Sequence, residues 1–395
     1  MQRIVKKCSM SAMLLLLLLL AACGRKNSTD NTENQMQEEL SMKILTPTET
    51  NVKLIGRADF YKDTLWMVHS GSGAAFTFTG TKAVVTLQAD SAVMNGTSDQ
   101  ARVAIFVNGE CVVDDLINRM TKTYTIFESE EETECAVRII KLSEAPLSTV
   151  GIKTIEVTAR GEIYPETDKA HLIEFIGDSI TCGYGVEDED PNHTFKTGTE
   201  NVMKTYAYKT AEALDADYSM ACFSGWGIIS GYTSTGETKM TEQLVPDYYE
   251  KLGYSAGKYL GMAPAEVAWD FQRRQPDLIV VNLGTNDDSY TLTYEERQEE
   301  YKEQYIAFLK VIRKNNPEAK ILCTLGIMGG RLLPYMEQAV KEYSEQTGDT
   351  NVATMRFTVQ NSVTDGLAAD WHPTEKTHTK AANKLTAKIR ELMGW

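Results

Sequence analysis

Leu172-Ile173-Glu174-Phe175-Ile176-Gly177-Asp178-Ser179-Ile180 is the stretch on which the fold turns. An apolar run that ends in a glycine reads as a buried strand with an abrupt stop. The residues after it are presented at the carboxyl edge of a sheet, where open α/β proteins place their chemistry. Two later segments share the design: Leu278-Ile279-Val280-Val281-Asn282-Leu283 runs into Gly284-Thr285-Asn286-Asp287, and Asp370-Trp371-His372-Pro373 stands near the end. A serine, an asparagine and a histidine, each delivered by its own strand end or loop, supply a nucleophile, an oxyanion donor and a base. Acyl transfer needs those three parts.

Outward from that stretch, residues 170–395 alternate strands and helices. Strands are predicted at 171–176, 217–222, 277–283, 319–327 and 351–359, with helices near 201–214, 294–315, 332–347 and 375–393. In the second of these helices Tyr301, Tyr305, Phe308, Leu309 and Ile312 recur at three- and four-residue steps. The pattern calls for an α/β domain with a parallel sheet covered on both faces. The irregular segment 232–268 is long enough to be functional, and it is expected to wall the site.

Residues 44–162 have a different rhythm. Short alternating segments at 74–79, 83–89, 101–107, 135–142 and 152–158 are separated by polar turns such as Asn95-Gly96 and Asn108-Gly109. This predicts a β-sandwich whose inner face takes Phe76, Phe78, Val103, Ile105 and Val107. Residues 161–169, with Pro165 and several charges, form the boundary.

Residues 1–22 read as an address. Arg3, Lys6 and Lys7 precede an apolar run over 12–22, shorter than the roughly 20 residues a membrane span requires. Leu20-Ala21-Ala22-Cys23 resembles a bacterial lipobox, which implies cleavage before Cys23 and lipidation of its thiol; a plain secretory signal is the alternative. Residues 23–43 then form a flexible tether, and membrane association is expected through the lipid anchor alone. The expected address is an anchored lipoprotein, of the outer membrane and facing the periplasm or the surface.

With 40 Lys and Arg against 55 Asp and Glu, the net charge is −15, and loss of the leader makes the mature chain more acidic still. Such a chain is a poor partner for nucleic acid. Five cysteines follow Cys23. Cys111 and Cys135 are compatible with one bridge, Cys222 and Cys323 read as buried small residues, and no spacing matches a zinc site.

Each site candidate has a plainer reading. Ser179 could simply cap a helix, and the Gly-x-Ser-x-Gly elbow fails because Thr181 stands two residues after it. Asn286 could be a turn asparagine. Gly225, in Phe223-Ser224-Gly225-Trp226-Gly227, offers a backbone N–H at a close approach, with Gly227 as the competing choice. His372 alone among five histidines sits in a short loop with an acid beside it. His69 belongs to the β domain, His171 lies at the far end of the strand that leads to Ser179, and His193 and His378 are expected to be solvated.

Taken in order, these blocks are similar to those of the SGNH (GDSL-type) hydrolases. More narrowly the chain resembles carbohydrate esterase family 2, with Trp269-Asp270-Phe271 and Gln275-Pro276-Asp277 ahead of the third block. The resemblance implies a flavodoxin-like three-layer SGNH domain over 170–395, preceded by a jelly-roll sandwich. It also implies a serine esterase that removes O-acetyl groups from polysaccharides such as xylan or glucomannan without metal or organic cofactor. Ser179 is then the nucleophile and His372 the base, with Ser179, Gly225 and Asn286 forming the oxyanion hole. Trp371, beside the histidine, is then implied to shape the sugar site. The Trp226, Tyr232, Trp269 and Trp371 neighbourhood suits sugar faces on its own reading, and each of these aromatics could equally be core. One departure stands out: the family places an aspartate three residues before the histidine, and here that residue is Ala369. Either Asp370 bends round to orient His372 or a backbone carbonyl does so, leaving a Ser–His dyad. The same parts would serve a lipid or thioester hydrolase, and a glycan-binding surface lipoprotein is the reading from another class.

Overall fold

The computed structural model describes residues 39–96 and 99–395, so the export segment, Cys23 and most of the tether lie outside the described residues. Residues Glu39–Trp395 pack as one compact unit. Its antiparallel part contains β1 (Ser41–Leu45), β2 (Lys53–Ile55), β3 (Ala58–Phe60), β4 (Leu65–Met67), β5 (Gly73–Ala89), β6 (Arg102–Val107), β7 (Glu110–Leu116), β8 (Thr121–Lys141), β9 (Val150–Ala159) and β10 (Tyr164–Pro165). The path runs β3-β4-β9-β5-β8-β6-β7, with β1 on β9 and with β2 and β10 on β5.

The segments predicted as two strands at 74–79 and 83–89 are one strand. Register shifts at Gly80/Lys82 and Ala83/Val84 bend β5 without ending it, so it pairs with both β8 and β9. Phe76, Phe78, Val103, Ile105 and Val107 all enter the core enclosed by these strands, as the alternation predicted. Cys111 and Cys135 are both free; Cys111 is exposed on β7 while Cys135 is buried on β8, so the bridge is not made.

Five parallel strands follow: β11 (Leu172–Gly177), β12 (Asp217–Cys222), β13 (Leu278–Asn282), β14 (Lys320–Leu325) and β15 (Val352–Arg356). Their order, β12-β11-β13-β14-β15, is the flavodoxin-like one. The helices are α1 (Ser179–Cys182), α2 (Tyr206–Ala213), α3 (Val245–Tyr249), α4 (Thr285–Thr291), α5 (Glu295–Asn315), α6 (Leu333–Thr347) and α7 (Glu375–Met393). Alternate strand residues point to opposite faces. Leu278 and Val280 therefore pack with α2 and α7, while Ile279 and Val281 pack with α5 and α6. Among the described residues no helix is long and apolar enough to cross a membrane.

Both α/β cores continue into the antiparallel part, through Trp66 and Val68 on one face and Ile55 and Ile140 on the other. A buried ion pair reinforces the join. Glu174, in the middle of the otherwise apolar β11, meets Arg57 at 2.9 Å, and Tyr249 Oη donates to its other oxygen at 2.8 Å. The segment 232–268 belongs to the same join. Its early residues hold the loop after β12, where Tyr232 N–H donates to Gly225 O at 2.7 Å. Its later residues cross to the antiparallel part, where His69 Nε2 meets Leu252 O at 3.0 Å.

Candidate active site

Strand register decides what can meet at the carboxyl edge. Gly177 of β11 lies opposite Cys222 of β12 and Asn282 of β13, so three neighbouring strands end level. The first leads to Ser179, the second to the 223–227 loop and the third to Asn286. The reversal of strand order between β11 and β13 makes this the switch point of the sheet.

Ser179 opens α1, capped by the Asp178 carboxylate, which accepts from Ile180 N–H at 3.0 Å. The serine is 5% exposed, at the floor of the site. Its Oγ is 2.9 Å from Nε2 of His372, 193 residues on. The other ring nitrogen, Nδ1, lies 3.1 Å from the backbone carbonyl of Asp370. A carbonyl only accepts, so Nδ1 carries the proton and Nε2 presents its lone pair to the serine hydroxyl.

The Asp370 carboxylate is engaged elsewhere, accepting from Tyr184 Oη at 2.9 Å and from Phe195 N–H at 3.0 Å. Asp370 therefore meets His372 through its main chain, and of the two readings left open this geometry is that of the carbonyl-oriented dyad. The backbone explains how. Asp370 and Trp371 have φ of 50° and 67°, a left-handed pair costing about 1–2 kcal/mol per residue. That turn brings the 370 carbonyl round to the ring.

Tyr184, which sequence reasoning missed, stacks on the His372 ring at 4.1 Å and carries Phe195 on its other face at 4.1 Å. Desolvation in this half-buried place pulls the His372 pKa down to about 4, so the imidazole is neutral at pH 7.

Asn286 lies in the first turn of α4, where a loop was expected, and one hydrogen of its amide is donated to Trp226 O at 2.8 Å. An amide nitrogen carries two hydrogens, so a second donor remains. The two candidate glycines differ in their surroundings. Gly225 has φ +79° with open space where a Cβ would point, whereas a Cβ on Gly227 would lie 2.2 Å from Ser230 O and 2.7 Å from the Asp287 carboxylate. Gly227 thus serves packing, and Gly225 borders free volume. Asp287, a second residue whose role was not foreseen, accepts the N–H groups of Ile228, Ile229 and Ser230 at 2.7–3.2 Å. Burial pushes its pKa up to about 6, against the pull of those donors. Burial likewise raises Asp178, to about 7, with the nearby Asp287 charge adding to the effect.

The aromatic candidates separate. Trp371 is 60% exposed beside His372, and Tyr232 is also exposed. Trp226 is buried and stacked on Phe223 at 4.7 Å, so it is core and not a sugar platform. Trp269 lines a cavity of about 570 Å³ with Leu172, Asp217 and Pro276, at the amino edge of the sheet and away from Ser179. His193 is exposed and bound to Asp188 at 3.0 Å. His378, expected in solvent, is buried between α2 and α7, where its Nδ1 accepts from Tyr206 N–H at 3.1 Å. His171 stacks on Trp395 at 4.1 Å, far from the serine.

Comparison with known proteins places this geometry. Residues 175–380 match the GDSL-like lipase/acylhydrolase family, and residues 54–166 match the carbohydrate esterase 2 N-terminal domain. The chain is similar to the cellulase/esterase CelE of Acetivibrio thermocellus, with 30% identity over 361 residues, covering 89% of this chain and spanning 41% of that protein. It is also similar to an acetylxylan esterase / glucomannan deacetylase of Cellvibrio japonicus, 26% identical over 374 residues, with 93% and 96% of the two chains covered. A family two carbohydrate esterase from Clostridium thermocellum, solved with cellohexaose, superposes with a TM-score of 0.74 at 29% identity, over 87% of this chain and 99% of that one.

Proposed function

Because the chain belongs to the GDSL-like lipase/acylhydrolase family and carries a carbohydrate esterase 2 N-terminal domain, we propose that it is a serine esterase that removes O-acetyl groups from plant polysaccharides, xylan or glucomannan. The observation that carries the reading is the 2.9 Å contact between Ser179 Oγ and the neutral Nε2 of His372 at the switch point. In this mechanism Ser179 Oγ attacks the acetyl carbonyl while His372 Nε2 takes its proton. The oxyanion is met by the N–H groups of Ser179 and Gly225 and by the free amide hydrogen of Asn286. Collapse expels the sugar alkoxide, which takes the proton from the imidazolium. Water, deprotonated by the same nitrogen, then attacks the acetyl-serine and releases acetate.

The imidazolium is stabilised by the Asp370 carbonyl, so the pair works as a dyad. Trp371, exposed next to the base, supports the placement of a sugar ring over the entrance. The sequence Leu20-Ala21-Ala22-Cys23 supports export and anchoring through Cys23, and Cys23→Ser is expected to move the protein from the membrane to the soluble fraction. For the catalytic proposal, acetate release from acetylated xylan, acetylated glucomannan and a small aryl acetate is measured for wild type and Ser179→Ala. Release abolished by the substitution is the expected result. Equal release by both proteins, or a preference for long-chain esters, refutes the reading.

A further inference from the structure

Besides the packing of His69 on Phe223, a buried carboxylate carries the antiparallel part to the catalytic edge. Where β8 ends at Lys141 the chain continues through Leu142-Ser143-Glu144, and the Glu144 carboxylate accepts the backbone N–H of Ser224 at 2.8 Å. Ser224 stands directly before Gly225. The peptide that carries the Gly225 N–H is thus held on one side by Glu144 and on the other by Tyr232 N–H on Gly225 O. Among the described residues, its chain neighbours aside, no atom lies within 4 Å of where a Gly225 Cβ would be, so side-chain packing does not steady it there.

Glu144 is braced in turn. Its own N–H donates to Glu200 Oε2 at 2.9 Å, and the Lys141 ammonium donates to the carbonyls of Ser143 and Glu144 at 2.6 and 2.7 Å. All three ionisable side chains are buried. Burial pushes the Glu144 and Glu200 carboxyls up and the Lys141 ammonium down to about 8. A cluster that resists its own ionisation is a poor source of stability, which favours a role in placement.

We infer that Glu144 is a positioning residue for the esterase reaction, aiming the Gly225 N–H at the oxyanion through Ser224, so that the antiparallel part completes the hole. The inference rests on the esterase reading. In the full chain, Glu144→Gln keeps an oxygen able to accept the Ser224 N–H. Glu144→Asp keeps the charge but withdraws the acceptor by one methylene, and Glu144→Ala removes it.

The measurement is kcat and KM on an aryl acetate, per active site titrated with a serine-directed phosphonate. The Gln variant is expected within about threefold of wild type; Asp and Ala are expected to lose roughly 10- to 100-fold in kcat with KM nearly unchanged. A purely structural role would lower the melting temperature and the titrated fraction but leave kcat per site alone. If Ala does not fold, Asp carries the test. Wild-type kcat in Asp and Ala, or a Gln variant as slow as Ala, overturns the positioning role while the esterase reading stands. Wild type with no hydrolysis dependent on Ser179 overturns both.

Discussion

Asp370→Asn separates a carboxylate triad from a carbonyl-oriented dyad. A carboxylate that holds the catalytic imidazole is worth about 10⁴ in kcat, or roughly 5.4 kcal/mol. Here Nδ1 of His372 is bound at 3.1 Å by the main-chain carbonyl of residue 370, which the substitution leaves in place. Asparagine also tolerates the left-handed φ of 50°. Its side-chain oxygen can accept both Tyr184 Oη and Phe195 N–H, which the aspartate holds at 2.9 and 3.0 Å. The change is from charge-assisted to neutral hydrogen bonds, about 1 kcal/mol each, or roughly 2 kcal/mol of stability. The expected outcome is a melting temperature lower by a few degrees and a kcat within about tenfold of wild type. Initial rates on an aryl acetate, with kcat and KM resolved, and a thermal melt give both numbers. A folded Asp370→Asn enzyme slower by three or more orders of magnitude would refute the dyad.

Three further outcomes are expected. Asn286→Ala removes the side-chain donor to the oxyanion, about 2.7–4 kcal/mol, so kcat should fall a hundredfold or more with the melting curve little moved; an equally active variant excludes Asn286 from the chemistry. The base must be neutral to act, and burial pulls the His372 pKa to about 4, so kcat/KM should hold from pH 7 to about 5 and halve near pH 4, whereas a limb near 6.5 would mean a hydrated ring. That profile needs a melt at each pH. The buried His69 and His378 lie near 3 in the folded state, so their contribution to stability falls as pH drops below about 6.5, while the raised Asp178 and Asp287 carboxyls, which the folded chain protonates first, act in the opposite direction. Arg57→Ala strands the buried Glu174 carboxylate and should cost about 3–5 kcal/mol in denaturant unfolding; a loss under 1 kcal/mol would remove that pair from the join between the two sheets.

Elements with local signals were legible. The five parallel strands begin within one residue of their predicted starts; the covered inner strands β11, β13 and β14 read as near-continuous apolar runs, while the edge strands β12 and β15 are more polar. The helix predicted at 201–214 is instead a 3₁₀ turn followed by α2, since the Thr205 side chain caps the helix by accepting from Tyr208 N–H. Ser179 and His372 announced themselves through their strand-end and loop settings, and they meet.

Tyr184, Phe195 and Asp287 did not, because their roles arise from contacts between distant segments with no period or spacing to betray them. His378 is different, for the signal was present. It falls on the stripe 378, 381, 382, 385 and 389 that α7 buries, and helical phase outranks polarity there. Trp226 illustrates the opposite hazard, since an aromatic beside a glycine proposed for the oxyanion hole can be core.

The loop that delivers the imidazole hangs on a second loop. Ala369 N–H donates to Asp188 O, Asp370 N–H to His193 O, and Phe195 N–H to the Asp370 carboxylate. A protease nick or a small insertion between residues 188 and 195 would therefore silence the enzyme while leaving serine, histidine and sheet chemically untouched. The placement of the base is thus staked on a surface crossover that contains no reacting atom.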